Sequence, residues 1–222
     1  MTRSSLPCAA LITSLLSLLT SACSTDAYDK GEGGYSLMRA EMAEVHVDGS
    51  LKADYLTTDD GERLTIATPY SSSWMKTPDS TYRALAYYSK RAEGIADVQG
   101  MSRVGVIVPK RMKEPKTDPV RFESAWMSRG GRYLNAGIYL LLGSTDDEKA
   151  IHTVGCHLDT LRGNADGTTT MQLTFYHDQG GVPEYYSQRT FVSIPLDNAA
   201  TDSVCLTVNT YDGPVRKTFR IK

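Results

Sequence analysis

The chain has 222 residues and a formal net charge of −2, with charges of both signs mixed along its length. That length holds one large or two small domains, and the absence of a basic stripe excludes nucleic acid as an expected partner. Thirteen tyrosines, 18 glycines and nine prolines, spread at turn-like spacings, suit an all-β chain of many short strands.

In chain order the first element is an export signal. Arg3 precedes an apolar run over residues 9–19, and Thr20, Ser21, Ala22 and Cys23 follow. One positive charge, a short apolar core and small residues before a cut make residues 1–22 a secretory signal peptide. The run falls short of the ~20 residues a spanning helix needs. Cys23, directly after Ala22, is the expected lipidation site, although Thr20 stands where a leucine is usual and Leu19 lies one step further out. Lipidation would anchor the chain to the outer membrane of the cell envelope, at its periplasmic face or at the cell surface; simple secretion is the alternative. Residues 23–34 are small, polar and Gly-rich and read as a flexible tether.

Residues 35–112 read as a first domain. Alternating runs at 42–48, 53–57, 63–67, 82–91 and 103–108 predict five short strands, with Asp48-Gly49 and Asp59-Asp60-Gly61 as turn signals. Five such strands suit an OB-like small barrel, and periodicity alone does not separate that from an SH3-like one. Residues 109–119 hold three prolines and six charges, fit neither a core strand nor a helix, and mark the boundary, with 113–119 as the linker.

Residues 120–222 read as a second domain with strands at 120–127, 132–142, 152–161, 169–177, 188–196, 203–210 and 215–221. Seven strands at this spacing match an immunoglobulin-like β-sandwich. The central one carries the strongest pattern: Leu134, Ala136, Ile138, Leu140 and Leu142 alternate with Tyr133, Asn135, Gly137 and Tyr139, giving one strongly apolar face after the Gly130-Gly131 turn. Cys156 shares its strand's apolar face with Val154 and Leu158, whereas Cys205 alternates with Val204, Leu206 and Val208. The two cysteines are therefore expected on opposite faces, as free thiols.

The order of these pieces resembles the NigD-like lipoproteins of Bacteroides and its relatives. The likeness rests on the leader, on Gly33 to Leu37 (GGYSL) and Asp60 to Leu64 (DGERL) in the first half, and on three motifs of the second. Those are Gly130 to Asn135 (GGRYLN), Phe175 to Asp178 (FYHD) and Phe191 to Leu196 (FVSIPL). The resemblance implies an N-terminal OB domain, a C-terminal β-sandwich and an immunity-related role, and it implies no catalytic residues.

No catalytic residue, metal site or cofactor is expected. His152 and His157 lie five apart, on opposite faces of one strand, and so do not make a metal pair, while His177-Asp178 reads as a turn-stabilising pair. No G-x-S-x-G elbow is present to support a hydrolase, which stands as a third reading. Tyr70, Trp74, Tyr87, Tyr185 and Tyr186 form the candidate binding surface, with Trp74 half exposed in a polar loop; Trp126 and most other tyrosines are expected to fill the small β cores. The expected function is that of a non-enzymatic binding module for an envelope protein. A carbohydrate-binding accessory role in outer-membrane uptake is the second reading.

Overall fold

The computed structural model describes residues 37–196 and 200–221. The expected signal peptide, Cys23, the tether and most of the GGYSL motif lie outside the described residues. Every regular element described is a strand.

The first five strands are β1 (Arg39–Val47), β2 (Ala53–Thr58), β3 (Arg63–Tyr70), β4 (Ser80–Ala92) and β5 (Ile95–Arg103). They close into a barrel in the order β1-β2-β3-β5-β4, with β3 and β5 parallel and the other pairs antiparallel. Five strands enclose little space, and the inward positions are correspondingly small: Ala43, Ala53, Ala84, Ala86 and Ala96 are buried beside Val45, Leu56, Leu64 and Ile66. Tyr88 is the one fully buried aromatic there, and its hydroxyl donates to Glu41 Oε2 at 2.7 Å. The Asp48 carboxylate accepts from the Ser50 and Lys52 amides at 2.8 and 2.9 Å and so sets the β1–β2 turn.

The fifth strand corrects the prediction. A strand is expected at 103–108, whereas β5 runs from Ile95 to Arg103 after a turn at Gly94, whose φ is +71°. The alternation of β5 is interrupted by Gly100 and by register shifts against β4, which removes its period-two signature.

The remaining strands are β6 (Gly105–Val106), β7 (Pro109–Lys110), β8 (Arg121–Met127), β9 (Tyr133–Leu142), β10 (Thr153–Gly163), β11 (Thr169–Asp178), β12 (Tyr186–Pro195), β13 (Ser203–Val208) and β14 (Val215–Arg220). They form two sheets, β14-β13-β11-β10-β7 and β6-β12-β9-β8. Leu134, Ala136, Ile138, Val192 and Ile194 of the second sheet meet Cys156, Leu173, Phe175, Val204 and Leu206 of the first in one core. Cys156 belongs to that core; Cys205 is buried outside it, and both thiols are free. Burial pushes the Cys156 thiol up to about 12.

The sandwich begins before its expected start at residue 120. β6 and β7, short parallel edge strands, pair with β12 and β10 immediately after the barrel ends. Pro109 is tolerated there because an edge strand need not donate on both sides. The segment expected as a linker then runs along the sandwich. His177 N donates to Lys116 O at 3.0 Å, Asp118 N donates to His177 O at 3.0 Å, and Val120 N donates to Asn209 O at 3.1 Å.

Candidate functional site

The described residues from Met38 onward form one compact unit. Within it, the outer face of the β6-β12-β9-β8 sheet meets the barrel, and β9 is buried on both faces as a result: Asn135 and Gly137 are as inaccessible as Leu134 and Ile138. A buried polar network fills the contact. Arg83 of β4, buried, pairs with Asp59 Oδ1 at 2.6 Å and donates to Ser193 Oγ at 3.1 Å and Asn135 Oδ1 at 3.2 Å. Ser193 Oγ donates to Asn135 Oδ1 at 2.7 Å, and Asn135 Nδ2 donates to Asp59 Oδ2 at 2.9 Å. The Arg83 guanidinium lies 4.2 Å from the ring centre of Tyr133. The Tyr133 hydroxyl donates to Glu44 Oε1 at 2.7 Å, and Arg132 pairs with the same carboxylate at 2.7 Å. Burial, and then the Glu44 carboxylate, push the Tyr133 phenol up to about 12. The GGRYLN stretch is thus the seam of the molecule: its Arg, Tyr and Asn side chains all reach barrel residues.

Beside this seam opens a cleft of about 910 Å³. Met42, Leu85 and Tyr87 of the barrel form one wall, and Ser124, Trp126, Arg189 and Phe191 of the sandwich form the other. The pleat explains this composition. A bulge between Phe122 and Ser124 puts Ser124 opposite Gly137 and Trp126 opposite Asn135, on the outer face, while Phe122 and Ala125 turn to the core. Gly137 makes room: a Cβ there would stand 2.9 Å from Glu123 Oε2 and 3.1 Å from Phe191 Cε1. Trp126 meets Phe191 edge-on at 6.1 Å. Arg189 lies over the Phe191 ring at 4.6 Å and holds Glu123 through a two-bond fork at 2.7 and 2.8 Å. Arg129 pairs with Asp60 at 3.2 Å at the exposed rim.

The predicted aromatic residues do not form one surface. Tyr87 lines the cleft. Tyr70 and Trp74 are half-buried against the barrel core, Trp74 edge-on to Tyr82 at 5.5 Å. Tyr185 and Tyr186 are exposed, 77% and 55%, where β12 begins. Trp126 is not a core residue; it is half-buried in the cleft wall. Its role was hidden because the bulge in β8 switches the strand's phase midway. Arg189, Phe191 and the Asp59-Asp60 turn carry no local sequence signal of a shared site, since the sheet and barrel contacts bring them together.

All four histidines are engaged elsewhere. His46 Nδ1 bonds Asp54 at 2.7 Å, the Met112 amide donates to His157 Nδ1 at 2.9 Å, and His152 and His177 bond each other. His177-Asp178 does more than stabilise a turn. His177 is buried against Asp118 O, and Asp178 pairs with Lys116 at 2.7 Å while accepting from the Gly180 amide at 3.0 Å. Among the described residues no three His, Cys, Asp or Glu side chains converge as a metal-binding set.

Solved structures of similar fold include proteins of Bacteroides and Parabacteroides species. A NigD-like immunity protein from Bacteroides caccae is 23% identical, with a TM-score of 0.60 over 81% of this chain and 91% of its own. A protein named as toxin-related from Parabacteroides distasonis is 20% identical, with a TM-score of 0.59 over 82% and 92%. One named as a lipoprotein from Bacteroides fragilis is 9% identical, with a TM-score of 0.57 over 83% and 98%. At these identities the likeness establishes fold. Among curated proteins none matches the sequence. A family model, the NigD-like C-terminal beta sandwich domain, matches residues 106–221, more than half of the sequence, and the chain therefore belongs to the NigD-like family.

Proposed function

We propose that this chain is a non-enzymatic binding protein of the cell envelope and that the cleft between barrel and sandwich receives its ligand. The observation that carries this is the position of Trp126. A large amphipathic ring stands half-buried outside both cores, braced edge-on by Phe191 and flanked by the Arg189–Glu123 pair. Rings and forked charges held on strands offer a preformed surface whose ordering cost is met by folding. The barrel's strand order and its parallel β3–β5 pair support reading it as OB-like, so both walls of the cleft belong to rigid β frameworks. The names of two relatives, an immunity protein and a toxin-related protein, turn the reading towards protection against a toxic protein. The leader, Cys23 and the relative named as a lipoprotein support an envelope address, with Cys23 as the outer-membrane anchor.

A bacterium carrying the chain tests both parts. Deletion should raise its sensitivity to culture supernatants of toxin-producing neighbours, and Trp126→Ala should reproduce the deletion at unchanged protein level. Cys23→Ala should move the protein out of the membrane fraction. Unchanged sensitivity of the deletion strain to every supernatant sinks the protective reading; full protection by Trp126→Ala sinks the cleft.

The aromatic wall also favours a second reading, glycan binding, because Trp and Tyr faces stack on sugar rings. Retention on a polysaccharide affinity gel that disappears with Trp126→Ala would favour it over the protective role; absence of retention on any polysaccharide would exclude it.

A further inference from the structure

At the far end of β11 two acceptor atoms converge on one imidazole nitrogen. His177 is 1% exposed, and its Nδ1 lies 2.9 Å from the carbonyl oxygen of Asp118. A carbonyl only accepts, so Nδ1 carries the hydrogen and Nε2 presents a bare lone pair. That lone pair faces His152 Nε2 at 3.0 Å. His152 Nε2 is also 3.0 Å from Gln179 Oε1. The orientation of the Gln179 amide is fixed, because its nitrogen donates to Leu141 O and Val182 O, each at 2.9 Å, leaving the oxygen to face the imidazole. The one proton of a neutral His152 Nε2 must therefore serve two acceptors.

We infer that His152 Nε2, His177 Nε2 and Gln179 Oε1 form a site for one borderline divalent transition-metal ion of the zinc, nickel or copper(II) class. Zn–N bonds of about 2.0–2.1 Å at a tetrahedral angle separate two ligand nitrogens by about 3.3 Å, so the observed 3.0 Å needs only a small opening. The rings are tilted by 47° with centres 4.6 Å apart, so they meet through their Nε2 edges and are not stacked face to face. The Asp118 carbonyl supplies the outer hydrogen bond that metal-bound imidazoles characteristically make. His152 is half-buried, so the pair is reachable from solvent. Imidazole and a neutral oxygen select these ions over calcium or magnesium, which prefer all-oxygen sites. Histidine spacing within one strand does not reveal this site. It draws on the residue before β10, the penultimate residue of β11 and the loop that follows.

A bound ion would brace the segment that crosses from barrel to sandwich, since the Asp118 carboxylate also accepts from the backbone N–H of Gln179 at 2.8 Å. Isothermal titration of zinc into the untagged, chelator-treated full chain tests the proposal. One equivalent should bind; His152→Ala should weaken binding at least tenfold and Gln179→Leu severalfold. His46→Ala and His157→Ala, which alter the other two histidines, should bind as the parent does. In the NMR spectrum, zinc should move the imidazole nitrogen signals of His152 and His177 together, a readout that stays informative if His177→Ala fails to fold. Absence of binding by the parent at millimolar zinc, binding that survives His152→Ala, or loss of binding in His157→Ala overturns the site.

Discussion

At the residue scale, the most informative side chain is Arg83. In the sequence it is simply the outward-facing member of the Tyr82, Arg83, Ala84 alternation, and an outward arginine on a barrel strand normally meets water. Here it is enclosed, and it holds a carboxylate, an amide, a hydroxyl and an aromatic face from two other strands and a turn. Its charge is matched by Asp59, and Asn135 and Ser193 complete the hydrogen bonding. Removing Arg83 leaves the Asp59 carboxylate desolvated without its counter-charge. Arg83→Met should therefore lower the unfolding free energy by about 3 kcal/mol, the scale for breaking a buried pair from one side. Arg83→Met with Asp59→Asn should cost less than the sum of the single changes, because the second removes the stranded carboxylate. Urea unfolding of the four proteins checks this; additive losses would show that the two residues are not coupled. The alternation placed the apolar half of β9 correctly in the sandwich core. It left its polar half unexplained, because only the docking of the barrel gives Asn135 and Gly137 a reason to be buried.

At the element scale, long alternating strands were legible and short ones were not. The seven sandwich strands β8 to β14 fall within a few residues of their expected ranges, since each has one face in a continuous core. β6 and β7 have two residues each and no periodicity to read; they form because the chain leaving the barrel lies against existing sheet edges. The turn before β9 shows how much a single conformation contributes. Gly131 has φ +70°, and a Cβ there would stand 2.7 Å from the carbonyl oxygen of Ile221. Gly130, its neighbour, would place a Cβ no closer than 3.7 Å to Asp59 O. Gly131→Ala should cost at least about 2 kcal/mol, combining left-handed strain with a backbone clash. Gly130→Ala should be nearly neutral. Thermal unfolding of both variants decides it, and equal losses would mean that the pair acts only through general chain flexibility.

At the scale of the whole molecule, barrel and sandwich share a polar seam, and part of that seam is titratable. The Tyr133 phenol, with Glu44 as its acceptor across the seam, is held up to about 12 against an ordinary value near 10. Tyr88 is raised in the same direction by burial and then by Glu41, and Cys156 by burial up to about 12. Each group keeps its proton in the folded chain at a pH where the unfolded chain has released it. The folded state therefore binds more protons in this window, and stability falls as pH rises. The loss begins near pH 9, where the unfolded thiol ionises, steepens above 10 as the unfolded phenols follow, and for Cys156 and Tyr133 ends near 12. Tyr133→Phe removes the seam's share and should flatten the slope between pH 10 and 12, while lowering stability at neutral pH through loss of the Glu44 hydrogen bond. Unfolding midpoints measured from pH 7 to 11.5 on the parent and Tyr133→Phe test this. A parallel decline in both proteins would show that the seam does not contribute, and that the alkaline limit is set inside the separate cores.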